Sequence, residues 1–331
     1  MYRWLFAFLT LCSLTLAQST HTVQPGETLY RIAKRYNTSV EALQLLNNIA
    51  DPSQLRVGQV LRVSGQPAVV LNRLTLAPAP IQTLEWPRQT AQGHLAVLRI
   101  TAPEPVSGEV RFLNSIHPIQ QNRVLLPIPA LQPPGTYPAV LRVGSQILRL
   151  DIQVVAGSFG RFILQIPPDR AALLVPERLR AERLRVIGSC DPDRPQQWRG
   201  PFRKPVQSNR ITDPFGTRRS YNGGASYSFH EGLDYGVPEG TPVYAPAPGV
   251  VGLAEKLFVR GGAVTIDHGL GVCSGYWHLS RIAVKPGQVV QSGDLIGYSG
   301  NTGLSNGPHL HFEIRIRGIP TNPVPWYFAV P

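Results

Sequence analysis

Cysteine, lysine and long apolar runs are scarce in this sequence. Its 331 residues include three cysteines, and lysine supplies few of the 32 basic residues because almost all of them are arginine. The most apolar stretch, Leu5 to Leu16, is shorter than the roughly 20 residues that a membrane-spanning helix needs. So few cysteines exclude a disulfide framework, and their spacing does not match a cysteine-based zinc site.

The N-terminus predicts a signal peptide over residues 1–17. Arg3 supplies the positive charge, the stretch from Leu5 to Leu16 is the apolar core, and small residues near Ala17 are typical of a cleavage site. Cys12 lies inside the apolar core without the small preceding residue of a lipoprotein signal, so we expect no lipid there. The mature chain is therefore expected to be exported and to lack a transmembrane anchor.

Cys190 and Cys273 remain after such a cleavage. In an exported protein they could form one bridge between them. Cys273 lies in an apolar strand pattern, however, which favours a small buried residue. The pattern leaves the pairing open.

Basic residues exceed acidic ones, and the formal net charge is +12. For an exported protein the expected anionic partners are envelope polymers, and nucleic acid is not expected. The 32 prolines and 31 glycines fall between short apolar runs, which favours β-rich domains over helical bundles. The length predicts two or three domains, and we expect a mainly β multidomain protein.

Residues 20–64 read as strand, helix, helix, strand. Leu29, Ile32, Ala33 and Tyr36 follow helical spacing, and a second helix is expected from a capping box formed by Thr38 and Glu41. The phrases from Thr22 to Leu29 and from Leu55 to Leu61 resemble the βααβ LysM domain. The resemblance implies binding to glycan that contains N-acetylglucosamine, with a groove that we place at Gly26, Glu27, Thr28 and Leu29.

The middle of the chain carries no chemical motif. Residues 65–91 read as a linker with one short strand near Val69 to Leu74. Alternating apolar residues over 92–168 predict a β-sandwich-like domain, with Gly144-Ser145 as a two-residue hairpin turn. Residues 169–200 are expected to be a basic connector that contains a solvated helix from Pro176 to Ile187.

Histidines and carboxylates recur with strand spacing in residues 201–331. His309 and His311 point to the same face of a predicted strand, and Glu313 lies one step beyond. His230 and Asp234 supply a further imidazole and a carboxylate. Together these residues could provide three ligands to a zinc ion and leave its fourth position open, as in catalytic sites. Short strands between glycine turns predict a groove lined by a sheet.

Three phrases in this region resemble the lysostaphin/LytM-type zinc metallopeptidases, which cut peptidoglycan cross-bridges or stem peptides. They run from Phe229 to Asp234, from Tyr276 to Ser280 and from Gly307 to Glu313. The resemblance implies an antiparallel β-sheet groove of the duplicated hybrid motif type. It also implies one zinc ion per chain, bound by His230, Asp234 and His311, and two histidines beside it for proton transfer, His278 and His309.

Several alternatives stay open at this point. Either His278 or His309 could be the general base. Asp267 and Glu313 could accept hydrogen bonds from the imidazoles, or they could be surface or ion-pair residues.

The family also includes members that have lost ligands and activate other hydrolases, although all five positions are filled here. We expect an enzyme of the periplasm or cell wall that cuts peptidoglycan, with glycan strands and stem peptides as its partners. The alternatives are a non-enzymatic peptidoglycan-binding regulator and a zymogen inhibited by its middle domain.

Overall fold

The computed structural model describes residues 20–36, 43, 46–47, 49, 55–63, 71–76, 80–157, 159–164, 175–221 and 228–328. Contacts divide the chain into two compact units, one within Pro67–Gly157 and one within Gln18–Gln66 and Ser158–Val330. Strands dominate both, which confirms the expectation of a mainly β protein. The predicted signal peptide lies outside the described residues. Among the helices that are described, none is long and apolar enough to cross a membrane.

The N-terminal module pairs strand β1 (Thr20–Thr22) with strand β2 (Val60–Arg62) in antiparallel register. Helix α1 (Leu29–Arg35) begins after Thr28, whose hydroxyl accepts a hydrogen bond from the Arg31 N–H and caps the helix. Leu43, Leu46 and Asn47 are helical, as expected for the second helix, while its capping box lies outside the described residues. The helices and β2 share a small apolar core that contains Leu29, Ile32, Ala33, Leu43 and Leu61.

The middle unit consists of two sheets around one apolar core. One sheet has the strand order β3-β4-β6-β9 and the other the order β5-β11-β10-β7-β8. Gly144 and Ser145 connect β10 to β11 in register, with Val143 opposite Gln146. The strands are β3 (Leu71–Thr75), β4 (Thr83–Pro87), β5 (Gln89–Ala91), β6 (Leu95–Thr101), β7 (Glu109–Phe112), β8 (Ser115–Pro118), β9 (Arg123–Pro127), β10 (Gly135–Val143) and β11 (Gln146–Val155).

Two predicted boundaries of this unit are wrong. The stretch interpreted as a linker contributes β3, β4 and β5, and Leu84 and Trp86 of β4 lie in the core. Proline and glutamine around these short strands obscured their alternation. At the other end, strand β12 (Arg161–Leu164) does not pair within the middle unit. It pairs in parallel with a strand of the C-terminal domain.

The C-terminal domain is built on an eight-stranded sheet with the path β13-β16-β24-β20-β19-β18-β22 and β25 beside β24. Two three-stranded sheets, with the orders β12-β14-β15 and β17-β23-β21, are formed by strands that alternate along the chain with those of the large sheet. A single-turn 3-10 helix (Val324–Tyr327) follows the last strand. The strands are β13 (Ile211–Asp213), β14 (Arg218–Tyr221), β15 (Ser228–Phe229), β16 (Leu233–Tyr235), β17 (Pro242–Tyr244), β18 (Gly249–Leu257), β19 (Gly261–Gly269), β20 (Val272–Leu279), β21 (Arg281–Ile282), β22 (Val289–Val290), β23 (Leu295–Tyr298), β24 (Leu310–Ile316) and β25 (Ile319–Thr321).

Helix α2 (Pro176–Gly188) was expected to be a solvated connector, but one side of it is buried. Val186 packs against Leu253, Leu257, Ala263 and Trp277 of the large sheet. Just beyond the helix, Cys190 forms a disulfide with Cys273 of β20. The pairing that the sequence left open is therefore made, and it fixes the end of α2 to a central strand.

Candidate metal centre

Two antiparallel strands bring the predicted ligands together. Asp234 of β16 lies directly opposite His311 of β24. His230 follows β15, and its backbone is fixed on both sides, since its N–H donates to Thr217 O and its carbonyl accepts from Gly216 N–H. The side chains of His230, Asp234 and His311 meet in one group that can hold a metal ion.

The three inward atoms form a small triangle. Nδ1 of His311 lies 2.8 Å from Oδ1 of Asp234 and 2.9 Å from Nε2 of His230, and this Nε2 lies 3.0 Å from the same carboxylate oxygen. All three residues are buried, and His230 is fully buried. Such a compact set of two nitrogens and one oxygen has the composition and size of a catalytic zinc site.

The hydrogen bonds of the outward nitrogens of His230 and His311 determine whether the inward nitrogens carry a proton or a lone pair. Nδ1 of His230 lies 3.1 Å from the Pro214 carbonyl, and Nε2 of His311 lies 3.0 Å from Oε1 of Glu313. Because a carbonyl and an ionised carboxylate only accept, each outward nitrogen must donate. Both inward nitrogens therefore present lone pairs to the same point as the Asp234 oxygen. Three converging lone pairs need a cation between them, either a proton or a metal ion, so these residues fit zinc.

The electrostatics of this group agree with that geometry. Burial works to raise the pKa of Asp234, but His230 and His311 outweigh it and hold this pKa well below its usual value. Burial works to lower the pKa of His311, but Asp234 and Glu313 outweigh it and raise this pKa to about 9. The carboxylates therefore favour a positive charge at this point, which a metal ion can supply in place of a proton.

A glycine allows the close approach of the strands. A side chain at Gly232, between His230 and Asp234, would lie 2.5 Å from Nε2 of His311 and 2.4 Å from the Phe312 carbonyl. Since no larger residue fits there, Gly232 permits β16 to place Asp234 against the imidazole of β24.

His278 and His309 lie beside the triangle. Their ring centroids are 4.7 Å apart, and His278 is 6.2 Å from the ring of His311. Nε2 of His309 lies 3.8 Å from Oδ1 of Asp234. Each ring also donates its Nδ1–H to a backbone carbonyl, His278 to Thr302 at 2.7 Å and His309 to Gly307 at 2.8 Å. Nε2 is thus the free nitrogen of both rings when they are neutral.

Burial, together with the nearby His309 and His311, lowers the pKa of His278 to about 3. His278 also has a positive φ of 65°. Few residues other than glycine adopt this left-handed conformation, and such exceptions cluster at functional sites. The ring of His278 is therefore neutral. Its backbone adopts a conformation that neighbouring residues must stabilise.

Comparisons with known proteins identify both ends of the chain. Residues 228–323 match the model of peptidase family M23, and residues 21–64 match that of the LysM domain. The C-terminal domain is a peptidase family M23 domain. This confirms the resemblance drawn from the three histidine-containing phrases and from the N-terminal phrases.

Two curated relatives each match between a third and two fifths of the chain. "Peptidoglycan DD-endopeptidase ShyA" of Vibrio cholerae is 45% identical over 121 residues, which cover 36% of this chain and 28% of ShyA. "DD-carboxypeptidase/endopeptidase Mpg" of Neisseria meningitidis is 43% identical over 129 residues, which cover 39% of this chain and 30% of Mpg. The chain therefore spans less than a third of the length of either relative.

A crystal structure of a protein from Pseudomonas aeruginosa, described as a peptidase M23, resembles more of the chain. It covers 73% of this chain and 96% of its own length, with a TM-score of 0.54 and 26% sequence identity. The resemblance to this solved structure therefore covers a larger share of the chain than the match over residues 228–323 does.

The sequence left the roles of Asp267 and Glu313 open. Of these two carboxylates, only Glu313 contacts a residue of the candidate metal centre. Its Oε1 accepts from His311, while its Oε2 accepts from Nε of Arg315 at 2.5 Å. Asp267 instead pairs with Arg194 at 2.7 Å and accepts hydrogen bonds from the backbone N–H groups of Asp191 and Gly269. The ion-pair alternative therefore describes Asp267, which we no longer assign to the site.

The predicted glycan-binding residues of the LysM domain have different surroundings. Gly26 is exposed at a turn with a φ of 77°. Glu27 pairs with His21 and with Arg35, and Thr28 caps α1. Leu29 is 1% exposed in the core, so its side chain cannot reach a glycan, and its assignment to the groove is wrong. Glu27 and Thr28 have structural partners.

Sequence reasoning missed three partners of the site. Arg219 binds Oδ2 of Asp213 at 3.1 Å through Nε and lies 3.7 Å from Oδ2 of Asp234, which is the carboxylate oxygen outside the triangle. Pro214 and Thr302 act through their carbonyls. Backbone carbonyls carry no residue-type signal, and Arg219 is one arginine among many.

Proposed function

We propose that this chain is an exported zinc endopeptidase that hydrolyses peptide cross-links of bacterial peptidoglycan. One observation carries the proposal: three buried lone pairs converge on one point, and two further imidazoles with free nitrogens lie beside it. One curated relative is named a peptidoglycan DD-endopeptidase and another a DD-carboxypeptidase/endopeptidase. We therefore propose that the hydrolysed peptide bond is a cross-link between two D-amino-acid centres.

Nε2 of His230, Oδ1 of Asp234 and Nδ1 of His311 would hold the zinc ion. When bound there, zinc supplies Lewis acidity for the peptide carbonyl and for an attacking water. Glu313 and the Pro214 carbonyl keep the two ligand rings in the tautomers that binding requires.

His278 and His309 handle the proton. As water attacks the carbonyl carbon, a C–O bond forms and one water proton moves to the free Nε2 of one of these rings. The same nitrogen then returns the proton to the amine as the C–N bond breaks, so the ring ends neutral. The second ring, 4.7 Å away, presents the lone pair of its own Nε2 and stabilises the positive charge that develops on the first ring.

The LysM domain would hold the enzyme on its substrate by binding glycan strands. The family match over residues 21–64 and the exposed turn at Gly26 support this role. The predicted signal peptide supports delivery to the periplasm or cell wall, and the excess of basic residues would favour anionic polymers there.

Digestion of purified peptidoglycan tests the proposal. Full-length mature protein is incubated with sacculi, and the released fragments are identified by mass spectrometry. We expect loss of cross-linked dimers, abolished by a chelator and by His311→Ala. His94→Ala, in the middle unit, is the matched control and should leave digestion unchanged.

Glycan binding is measured separately with the inactive His311→Ala protein. It should sediment with sacculi, and soluble N-acetylglucosamine oligomers should release it. If the wild-type protein binds sacculi and one zinc ion per chain but releases no peptide, the enzyme proposal fails and a non-enzymatic regulator replaces it.

A further inference from the structure

We propose that Glu182 of helix α2 is a positioning residue for His278. This rests on the proposed function, because it assigns a partner to one of the two histidines that move the proton. Glu182 lies outside the residues 228–323 that match the M23 family model. The active part of this chain therefore begins upstream of the recognised domain.

Glu182 is a buried carboxylate that accepts hydrogen bonds from the turn formed by Val259 and Arg260. It is 6% exposed, on the side of α2 that faces the sheet. Its Oε1 accepts the Val259 N–H at 2.7 Å, and its Oε2 accepts both the backbone N–H and the Nη1 of Arg260 at 3.3 Å. These two residues lie between β18 and β19. An ionised acceptor makes such hydrogen bonds stronger than a neutral one would.

The carbonyls of the same two residues hold His278 from two sides. Arg260 O accepts the His278 backbone N–H at 2.8 Å. Val259 O accepts the Leu304 N–H at 2.7 Å, and two residues earlier in that loop Thr302 O accepts the ring Nδ1–H of His278. The turn thus contacts both the backbone of His278 and the loop that orients its ring.

The conformation of His278 makes this support necessary. With a φ of 65°, its backbone lies in the left-handed region, which a non-glycine residue keeps only when its surroundings hold it. Glu182 fixes the two turn residues through their N–H groups, so that their carbonyls point towards His278 and Leu304. Without the carboxylate, two buried N–H groups lose their acceptor and the turn is free to change its peptide orientations.

Helix α2 is itself attached to the rest of the domain on the C-terminal side of Glu182. Arg183 pairs with Glu231, the residue after the ligand His230. Val186 packs on Trp277, the residue before His278. The disulfide between Cys190, just after the helix, and Cys273 attaches the end of α2 to β20. The position of Glu182 is therefore fixed relative to the strands of the site.

The test compares Glu182→Ala and Glu182→Gln with wild-type mature protein. Glu177→Ala is the matched control, because Glu177 is an exposed glutamate in the first turn of the same helix. Four quantities are measured on a defined cross-linked muropeptide dimer and on the zinc-loaded protein: kcat, KM, the zinc content, and the NMR resonance of the His278 Nδ1 proton. The resonance is assigned by its loss in His278→Ala.

We expect Glu182→Ala to lower kcat by about 10- to 100-fold, because a displaced catalytic group costs rate, while KM changes by less than about twofold. Zinc content should stay at one ion per chain, and the Nδ1 proton should shift upfield as its hydrogen bond to Thr302 weakens. Glu182→Gln keeps one acceptor oxygen and should be intermediate in both kcat and resonance. Glu177→Ala should match the wild type.

A Glu182→Ala protein with wild-type kcat and an unmoved resonance would overturn the inference, and so would a loss of activity explained by lost zinc. If Glu182→Ala does not fold, Glu182→Gln decides by the same two readouts. If the wild type itself cuts nothing, the proposed function fails, while the resonance still tests whether Glu182 positions His278.

Discussion

Nε2 of His311 donates a hydrogen bond to Oε1 of Glu313 at 3.0 Å, two residues further along the same strand. Arg315, two residues further again, holds the other oxygen of Glu313 at 2.5 Å. Although burial opposes ionisation, Arg315 and His311 keep the pKa of Glu313 well below its usual value. Alternate residues of β24 thus form a line from the candidate zinc ligand to a buried ion pair, which Glu231 extends by accepting from Arg315.

Replacement of Glu313 by glutamine should weaken zinc binding. The amide cannot supply the negative charge that makes the His311 ring a better ligand, and loss of such a partner typically costs about 10- to 100-fold in metal affinity. Competition with a chromophoric chelator measures the Kd. Glu177→Gln, on the exposed side of α2, is the control. An unchanged Kd in folded Glu313→Gln would contradict the role given to this carboxylate.

His309 and His311 should separate zinc binding from proton transfer. Both His309→Ala and His311→Ala should lower kcat by about 100-fold or more, the contribution typical of a general acid–base group. Only His311→Ala should lose the metal, since Nδ1 of His311 belongs to the ligand triangle. Metal analysis after gel filtration checks this. Loss of zinc in His309→Ala would mean that this ring is a ligand.

The Cys190–Cys273 disulfide should stabilise the fold. It joins residues 83 positions apart in sequence, and a bridge of this kind typically contributes about 2–5 kcal/mol to the free energy of unfolding. Urea denaturation of a Cys190→Ala/Cys273→Ala protein, compared with the oxidised wild type, measures the loss. Reduced wild-type protein should behave like the double variant. Equal midpoints for all three would show that the bridge is not formed or contributes nothing.

The buried His268 should make stability depend on pH. Its Nδ1 donates to Pro248 O at 2.7 Å and its Nε2 accepts from Ser274 at 2.8 Å, and burial lowers its pKa to about 4. In the unfolded chain the ring binds a proton near pH 6.5. As pH falls from about 6.5 towards 4, the unfolded state gains a proton that the folded state lacks, so stability falls by up to about 3 kcal/mol.

Urea unfolding at pH 7 and pH 5 checks this difference. His268→Asn cannot titrate and should lose less stability over that interval than the wild type does. Both proteins are compared without zinc, so that metal release makes no contribution. A variant with the wild-type dependence on pH would assign the effect to other groups.

The strand pattern and the motifs predicted the main elements of both end domains. The alternation of His309, His311 and Glu313 predicted three side chains on one face; β24 contains His311 and Glu313, which are hydrogen-bonded to each other, and His309 lies directly before the strand. The hairpin at Gly144-Ser145 was also predictable, because two-residue turns have a strong residue preference. Local rules succeed where one strand or one turn decides the outcome.

The sequence could not predict contacts between distant segments. Glu182 stands among the arginines of a helix that reads as solvated, and only the packing of α2 on the sheet reveals that it is buried. Cys190 and Cys273 likewise needed the fold to bring them together. Leu29 was assigned to a glycan groove by its place in a motif, whereas its helical spacing already indicated the core.

Zinc reconstitution with a cross-linked substrate tests the central claim most directly. Metal-free mature protein receives zinc in steps, and cleavage of a defined DD-cross-linked muropeptide dimer is followed by mass spectrometry. The account predicts that activity rises in proportion to zinc, reaches its plateau at one ion per chain, and stays absent in His311→Ala. Full activity without zinc, or no cleavage by protein that holds one zinc ion per chain, would contradict it.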